Sequence, residues 1–170
     1  MRKLVLLGFL VTLSACMASM PPKHSMVSSF DPSEVEWFAS TGTNSVHGSA
    51  LIRQRGGGVV TCAGRSVSLM PVSTYADERI LAIYGNRLKG YSQFGATVIN
   101  EPPDQAYLDI ARNSTCDAQG FFSFRNLPDG EFYIITDVFW EVSNYASQGG
   151  ALMHRVTLSG GKSAEVVLSP

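Results

Sequence analysis

Residues 131–140 limit the possible folds of this chain more than any other stretch, because apolar side chains occur on both faces of the strand that they predict. In a strand, successive side chains point to opposite faces. One face carries Phe132, Ile134, Thr136, Val138 and Trp140, and the other carries Tyr133, Ile135, Asp137 and Phe139. A strand that is apolar on both faces needs packing on both faces. We therefore expect residues 131–140 to form a central strand of a sheet.

Shorter strand patterns recur along the rest of the chain, with Gly and Pro between them. They are predicted at residues 45–52, 59–61, 67–71, 107–112, 121–124, 152–158 and 164–168. Residues that favour strands are plentiful and long charged helical faces are missing, so the composition favours β structure. Several short strands separated by turns are typical of an antiparallel β-sandwich. The fold predicted is all-β, in one domain that spans residues 30–170.

Two segments depart from the strand pattern. At residues 31–34, Asp31 can cap a helix and Pro32 suits its first turn, which predicts a short N-terminal helix. Residues 73–105 form an irregular insertion, with a second short helix predicted at residues 75–84. The insertion can carry function, because binding residues often lie on loops over a rigid scaffold. The alternative interpretation is surface decoration.

The N-terminus is typical of a secreted protein. Arg2 and Lys3 precede an apolar run at residues 4–13, and small residues follow it. This order indicates a signal peptide, and the run is too short for a membrane span, which needs about 20 apolar residues. Residues 1–15 are therefore predicted to be a signal peptide. Residues 16–29, rich in Ser, Met and Pro, are predicted to be a tether.

Residues 13–16, Leu-Ser-Ala-Cys, resemble the lipobox of bacterial lipoproteins. The resemblance implies that Cys16 is acylated on its sulfur, becomes the first residue after cleavage and anchors the protein in a membrane. Met17 follows Cys16 where an Asp would resemble an inner-membrane retention signal, and this favours the outer membrane. The alternative is an ordinary signal peptide followed by a cysteine of no special role.

Cys62 and Cys116 remain once Cys16 is assigned to lipid. An even pair of cysteines in an oxidising compartment most simply forms a disulfide. The alternatives are two free thiols or a metal site with two thiolates, although two cysteines with no nearby histidine are too few ligands for zinc. We expect a disulfide with Cα atoms roughly 4.4–6.8 Å apart. Such a bond would hold the base of the 73–105 insertion.

Residues 120–132 carry a resemblance to a known family. They read Gly-Phe-Phe-Ser-Phe-Arg-Asn-Leu-Pro-Asp-Gly-Glu-Phe and resemble the G-x-F-x-F-x-x-L-P-x-G-x-Y signature of carboxypeptidase regulatory-like domains. Phe132 stands where Tyr is usual, and Gly64, Val67 and Leu69 fit an upstream strand of the family. The resemblance implies a transthyretin-like (prealbumin-like) or Ig-like sandwich with an accessory, stabilising or adhesive role.

Charge and motifs argue against several functions. The 13 Lys and Arg are matched by 14 Asp and Glu, and the signal peptide would remove two of the basic residues, so nothing indicates a nucleic-acid surface. His24, His47 and His154 are far apart in the sequence, and no serine elbow or paired-histidine motif is present. We therefore expect no enzyme activity, no cofactor and no metal.

Two functions remain as expectations. The first is a non-enzymatic lipoprotein, an accessory or structural module that docks on a protein or glycan partner in the cell envelope. The alternative is a carbohydrate-binding module, since sugars need flat exposed aromatic rings. The candidate aromatic residues are Trp37, Tyr75, Tyr84, Tyr91, Phe94 and Trp140. Arg53 and Arg55, beside the glycines at 56–58, can bind an anionic glycan or a lipid headgroup. The alternative is that they lie on a solvated hairpin tip and bind no ligand.

Overall fold

The computed structural model describes residues 23–93, 96, 99–143 and 146–170, and about half of these residues belong to two packed β-sheets. The first sheet contains β1 (Asn44–Arg53), β2 (Val59–Thr61), β6 (Phe121–Leu127) and β9 (Ser163–Leu168). The second contains, in spatial order, β4 (Lys89–Gln93), β8 (Ala146–Leu158), β7 (Gly130–Ser143), β3 (Ser66–Pro71) and β5 (Arg112–Thr115). The helical elements are a 3-10 helix (Pro32–Ala39), α1 (Thr74–Tyr84) and α2 (Gln105–Asp109). The predicted β-sandwich with a short N-terminal helix is confirmed.

The four-stranded sheet is mixed, because one of its pairs is parallel. β1 pairs with β2 and β6 in the antiparallel sense, whereas β9 runs parallel to β1, with Val46 opposite Ala164 and Gly48 opposite Val166. The chain crosses from the second sheet to the first between β8 and β9. The alternation of β9 predicts a strand but does not reveal the direction of its pairing.

The main core lies between the two sheets. Phe122 and Phe124 point inward, as their alternation predicts, and Leu127 is fully buried at the end of β6. The chain then turns into β7 at Gly130, where a Cβ atom would lie 2.3 Å from the ring of Trp37. Glycine is therefore needed there, because the backbone passes directly under the indole.

β7 is buried on both faces, as the pattern of residues 131–140 predicts. Phe132 and Ile134 lie in the main core, whereas Tyr133 is fully buried on the opposite face. That face forms a second core with Met70, Tyr75, Ala76, Ile80, Tyr107 and Met153. The molecule thus has three layers, and the 73–105 insertion supplies α1 to the third layer rather than decorating the surface.

The sequence signals for α1 agree with its structure. The Ser73 side chain accepts the N–H of Ala76 at 3.1 Å, and Gly85 ends the helix with a φ of 68°. Asp77 fixes the helix over the sheet, because its carboxylate accepts the Tyr133 hydroxyl at 2.6 Å. Burial and this hydrogen bond raise the pKa of Tyr133.

Two elements differ from the sequence-based expectation. The strand predicted at residues 107–112 is wrong, because α2 occupies its first half and β5 begins only at its last residue. Asp104 accounts for the helix, since its carboxylate accepts the N–H of Ala106 at 2.8 Å and caps the first turn. β4 is missing from the predicted strands, and it lies inside the insertion as an edge strand paired with β8.

Candidate functional site

An open cleft lies at one end of the sandwich, between the β1–β2 hairpin and the ends of β4, β7 and β8. Its volume is about 840 Å³. Two aromatic rings, three glutamine side chains and two guanidinium groups line it. The lining residues are Ile52, Arg53, Gln54, Arg55, Gly56, Tyr91, Gln93, Trp140, Val142, Gln148, Gly149 and Pro170.

The strand register places the aromatic residues of the cleft on one face of the second sheet. Trp140 of β7 is opposite Gln148 of β8, and Tyr91 of β4 is opposite Leu152 of β8. Gln148 and Leu152 are an even number of residues apart, so these side chains all point towards the same side as the main core. The inner face of the second sheet therefore continues beyond the core and becomes the floor of the cleft.

Tyr91 lies over two glycines, which fix the position of its ring. The hydroxyl donates a hydrogen bond to the Gly149 carbonyl at 2.9 Å, and the residue is 37% exposed. A Cβ atom on Gly150 would lie 2.8 Å from the ring, and one on Gly149 would lie 2.1 Å from the Val138 carbonyl oxygen. Any side chain at these positions would displace the strand or the ring. The glycines therefore hold Tyr91 in place with part of its surface open to the cleft.

Trp140 is half-buried and packs against the edge of the main core. Its cross-strand neighbour Gln148 is exposed, and Gln93 of β4 is exposed as well. A glutamine amide both donates and accepts hydrogen bonds. The floor of the cleft thus combines apolar ring surface with polar groups that can bond to hydroxyls.

The β1–β2 hairpin forms the opposite wall. Its loop is closed by backbone hydrogen bonds from the N–H of Gln54 to Gly58 at 2.8 Å and from the N–H of Gly57 to Gln54 at 2.9 Å. Arg53 and Arg55 are exposed on this hairpin. In the described part of the chain, no carboxylate forms an ion pair with either guanidinium. Both groups are therefore available to a ligand.

Most of the other candidate aromatic residues contribute to packing. Trp37 is half-buried and meets Phe132 edge-on, with ring centroids 5.4 Å apart. Tyr75 is buried and Tyr84 is half-buried in the helical layer. Phe94 lies outside the described residues. Tyr91 and Trp140 therefore differ from the other described candidate aromatic residues because they line the cleft, and not because both are exposed.

The predicted disulfide joins Cys62 and Cys116, whose Cα atoms are 5.8 Å apart. Cys62 follows β2 in the first sheet and Cys116 follows β5 in the second, so the bond links the two sheets. Both residues are buried. The closed segment carries α1, β4 and α2, as expected for a bond at the base of the insertion.

The three histidines lie in different parts of the structure. His24 Nε2 is 2.7 Å from the Glu78 carboxylate, and His47 lines a shallow groove on the outer face of β1. His154 lies on β8 opposite Lys89, where burial and the neighbouring ammonium lower its pKa. Among the described residues, no three His, Cys, Asp or Glu side chains are grouped as a metal site would require.

Residues 24–28, predicted as part of the tether, are attached to α1 through Glu78. Its carboxylate accepts the N–H of Val27 at 2.8 Å, the N–H of Ser28 at 2.7 Å, and the Ser28 hydroxyl. Several hydrogen bonds lower the pKa of Glu78 to about 2, and the bond from the Ser28 hydroxyl makes the largest contribution. The described end of the tether therefore lies against the domain.

Cys16 and the predicted signal peptide lie outside the described residues, so lipidation stays a prediction. In the part of the chain that the structure describes, none of the helices is both long enough and apolar enough to span a bilayer.

The same fold occurs in a solved structure from Pseudomonas aeruginosa. That protein was named as a candidate carbohydrate-binding protein, and the match covers 84% of this chain and 99% of that one. The TM-score is 0.70 and the sequence identity is 20%. At this identity the likeness establishes the fold. No family model matches the chain, and no curated protein does.

Proposed function

We propose that this chain is a carbohydrate-binding protein of the bacterial cell envelope and that the glycan binds in the open cleft. The observation that carries the proposal is the position of Tyr91 and Trp140 on the same face of the second sheet, where it lines the cleft, with glutamine amides beside them. Binding, rather than catalysis, is the activity that these groups support.

The chemistry of the cleft suits a sugar. A sugar ring has apolar C–H faces and a rim of hydroxyl groups. Tyr91 and Trp140 can cover a C–H face, because an aromatic side chain offers flat apolar surface together with a polar tip. Gln54, Gln93 and Gln148 offer donors and acceptors to the hydroxyls. A pocket with apolar surface and a few polar groups that set orientation is the usual form of a small-molecule site.

The comparison with a solved structure supports the proposal at the level of the fold. A candidate carbohydrate-binding protein has the same sandwich over 99% of its length. Residue identity of 20% carries no information about individual binding groups. The support for the site comes from this chain's own side chains.

The proposal includes a lipid anchor on Cys16 and a place in the outer membrane. Its support is the resemblance of residues 13–16 to a lipobox, with Met17 next in the chain. The signature at residues 120–132 likewise supports membership of the carboxypeptidase regulatory-like domains and a non-enzymatic, accessory role. A Cys16→Ser protein that leaves the membrane fraction is the result expected for a lipid anchor.

A second candidate function is docking on an envelope protein. Phe121 of β6 and Val167 of β9 both lie beside Ser49 of β1, and they are 57% and 59% exposed. Exposed apolar side chains on either side of one strand, on the same sheet face, favour contact with another protein. This face belongs to the first sheet, so it can act independently of the cleft.

Binding of the purified full chain to a panel of oligosaccharides tests the first proposal, with affinities then measured by calorimetry. Tyr91→Ala removes the ring from the cleft floor and should lower affinity by at least about tenfold, or about 1.4 kcal/mol. Tyr91→Phe keeps the ring and loses only the hydroxyl bonded to Gly149, so it should retain most of the affinity.

Phe121→Ala is the matched control, because Phe121 is an exposed aromatic residue outside the cleft. It should leave sugar affinity unchanged, and it should reduce capture of an envelope protein if the second candidate is correct. Absence of binding to every sugar, or equal losses in Tyr91→Ala and Phe121→Ala, would contradict the carbohydrate proposal.

A further inference from the structure

The charged side chains that line the cleft are all positive. Arg53 and Arg55 are exposed on the hairpin wall, and the described residues that line the cleft include no Asp or Glu. The whole chain has a formal net charge of −1, so the excess is local. Positive groups along a partly enclosed surface raise the local concentration of anions.

Several other arginines of the chain are already neutralised by carboxylates. Arg65 Nε lies 3.5 Å from Asp137, and Arg155 Nη2 lies 2.5 Å from Glu131. Arg53 and Arg55 have no such partner in the described part of the chain. Their charge is therefore not used to hold the fold together.

We propose that the cleft selects an acidic glycan, whose uronate carboxylates pair with Arg53 and Arg55 while the sugar rings lie on Tyr91 and Trp140. This inference rests on the proposed function. A guanidinium binds a carboxylate through two parallel hydrogen bonds, and charge-assisted bonds are roughly twice as strong as neutral ones. Arg53 and Arg55 then determine specificity, and the aromatic floor supplies affinity for sugar of either charge.

An acidic glycan fits the cleft better than an anionic membrane does. Lipid surfaces are usually recognised by clusters of about 4–8 Lys and Arg. The cleft has two arginines, and they face a floor of aromatic rings and glutamine amides. That floor matches the rings and hydroxyls of a saccharide, whereas a lipid headgroup would leave most of it unused.

The test uses the full chain and a panel of uronate oligosaccharides, each paired with its carboxyl-reduced form. Carboxyl reduction removes the charge and keeps the sugar skeleton. The preferred uronate should bind at least about tenfold tighter than its reduced form, and its affinity should fall as salt is raised. Combined Arg53→Gln and Arg55→Gln substitutions should abolish that preference, because they should lower the affinity for the uronate far more than the affinity for its reduced form.

Arg125→Gln is the matched control, because Arg125 is an exposed arginine of β6 outside the cleft. It should leave the preference intact. Equal affinity for charged and reduced forms, or a preference that survives the double substitution, overturns the inference. Arginine-dependent binding to phosphatidylglycerol vesicles without a preference for uronates also overturns it.

The same measurements separate this inference from the function on which it rests. Tyr91-dependent binding of reduced oligosaccharides with no gain from the carboxylates would remove the inference and leave the carbohydrate proposal standing. Failure of every charged and neutral saccharide to bind would remove both.

Discussion

Glu78 attaches the N-terminal segment to the domain with both of its carboxylate oxygens. Oε1 accepts hydrogen bonds from His24 and from the N–H of Val27, and Oε2 accepts them from the N–H and hydroxyl of Ser28. Donors of this kind favour the ionised carboxylate. They account for a pKa of about 2 at Glu78. Glu78 of α1, together with Asn100 and Glu101, thus positions the segment that leads towards Cys16.

The attachment should weaken as the pH falls. Because the folded pKa of Glu78 lies below its ordinary value of 4.5, the attachment is complete above about pH 4.5 and is lost as the pH drops through about 2. The amide shifts of Val27 and Ser28 in NMR spectra should therefore titrate with a midpoint near 2. Glu78→Gln should abolish this titration, whereas Glu36→Gln, at an exposed carboxylate of the 3-10 helix, should leave it unchanged. A midpoint near 4.5 would show that the carboxylate is not held by these donors.

Trp140 and Tyr91 differ in how far the sequence predicts their place in the site. Trp140 lies in a long alternating run, so its face can be read from residue 132 onwards. Tyr91 lies in a strand of five residues, which is too short for a clear periodicity. Its position depends on pairing with β8, more than fifty residues later in the chain. Aromatic richness identifies both residues as candidates, but long-range pairing brings them together.

α1 is a structural layer that covers the outer face of the second sheet. Its start and end follow from local chemistry, since Ser73 caps it and Gly85 adopts the left-handed conformation that ends it. Its burial does not follow from that chemistry. It depends on the apolar second face of β7, where Tyr133 has no exposed surface. Because β7 has apolar residues on both faces, its sequence predicts that another element packs on this face, and the insertion supplies that element as α1.

Neighbouring residues of α1 provide a test of this layer. Ile80 is 2% exposed in the second core, and Leu81 is 41% exposed. Ile80→Ala should lower the free energy of unfolding by about 2–5 kcal/mol, because it leaves a cavity under the helix. Leu81→Ala should change it by no more than about 0.5 kcal/mol. Denaturant unfolding measures the free energy of unfolding of both variants. Equally small changes in the two variants would mean that α1 does not form part of the core.

α2 illustrates how a cap can override an apparent strand pattern. Residues 107–112 alternate well enough to suggest a strand, yet the Asp104 side chain caps a helical turn just before them. The turn buries Tyr107 against Tyr75, with ring centroids 5.2 Å apart. Tertiary packing of one aromatic residue therefore outweighs a weak local preference. Strand patterns backed by a long run or a strong turn, such as residues 121–124 and 131–140, do form strands.

The two sheets and the predicted membrane anchor depend on different cysteines. Cys62 and Cys116 connect the sheets and are 54 positions apart in the sequence. Cys16 lies outside the described residues, and its proposed lipid would act on location rather than on the fold. Residues 17–23 can span at most about 25 Å, at roughly 3.3–3.6 Å per residue, before the chain reaches the attachment at Glu78. A lipid on Cys16 would therefore keep α1 close to the bilayer.

Substituting the two sets of cysteines should separate folding from anchoring. Cys62→Ser and Cys116→Ser together remove a cross-link between the sheets. The free energy of unfolding should fall by about 2–5 kcal/mol, because the denatured chain is no longer constrained. The variant should remain in the membrane fraction. Cys16→Ser should move the protein to the soluble fraction while leaving denaturant unfolding and sugar binding unchanged. A Cys16→Ser protein that stays with the membrane would contradict the lipid anchor, and a folded protein with two reactive thiols at Cys62 and Cys116 would contradict the cross-link.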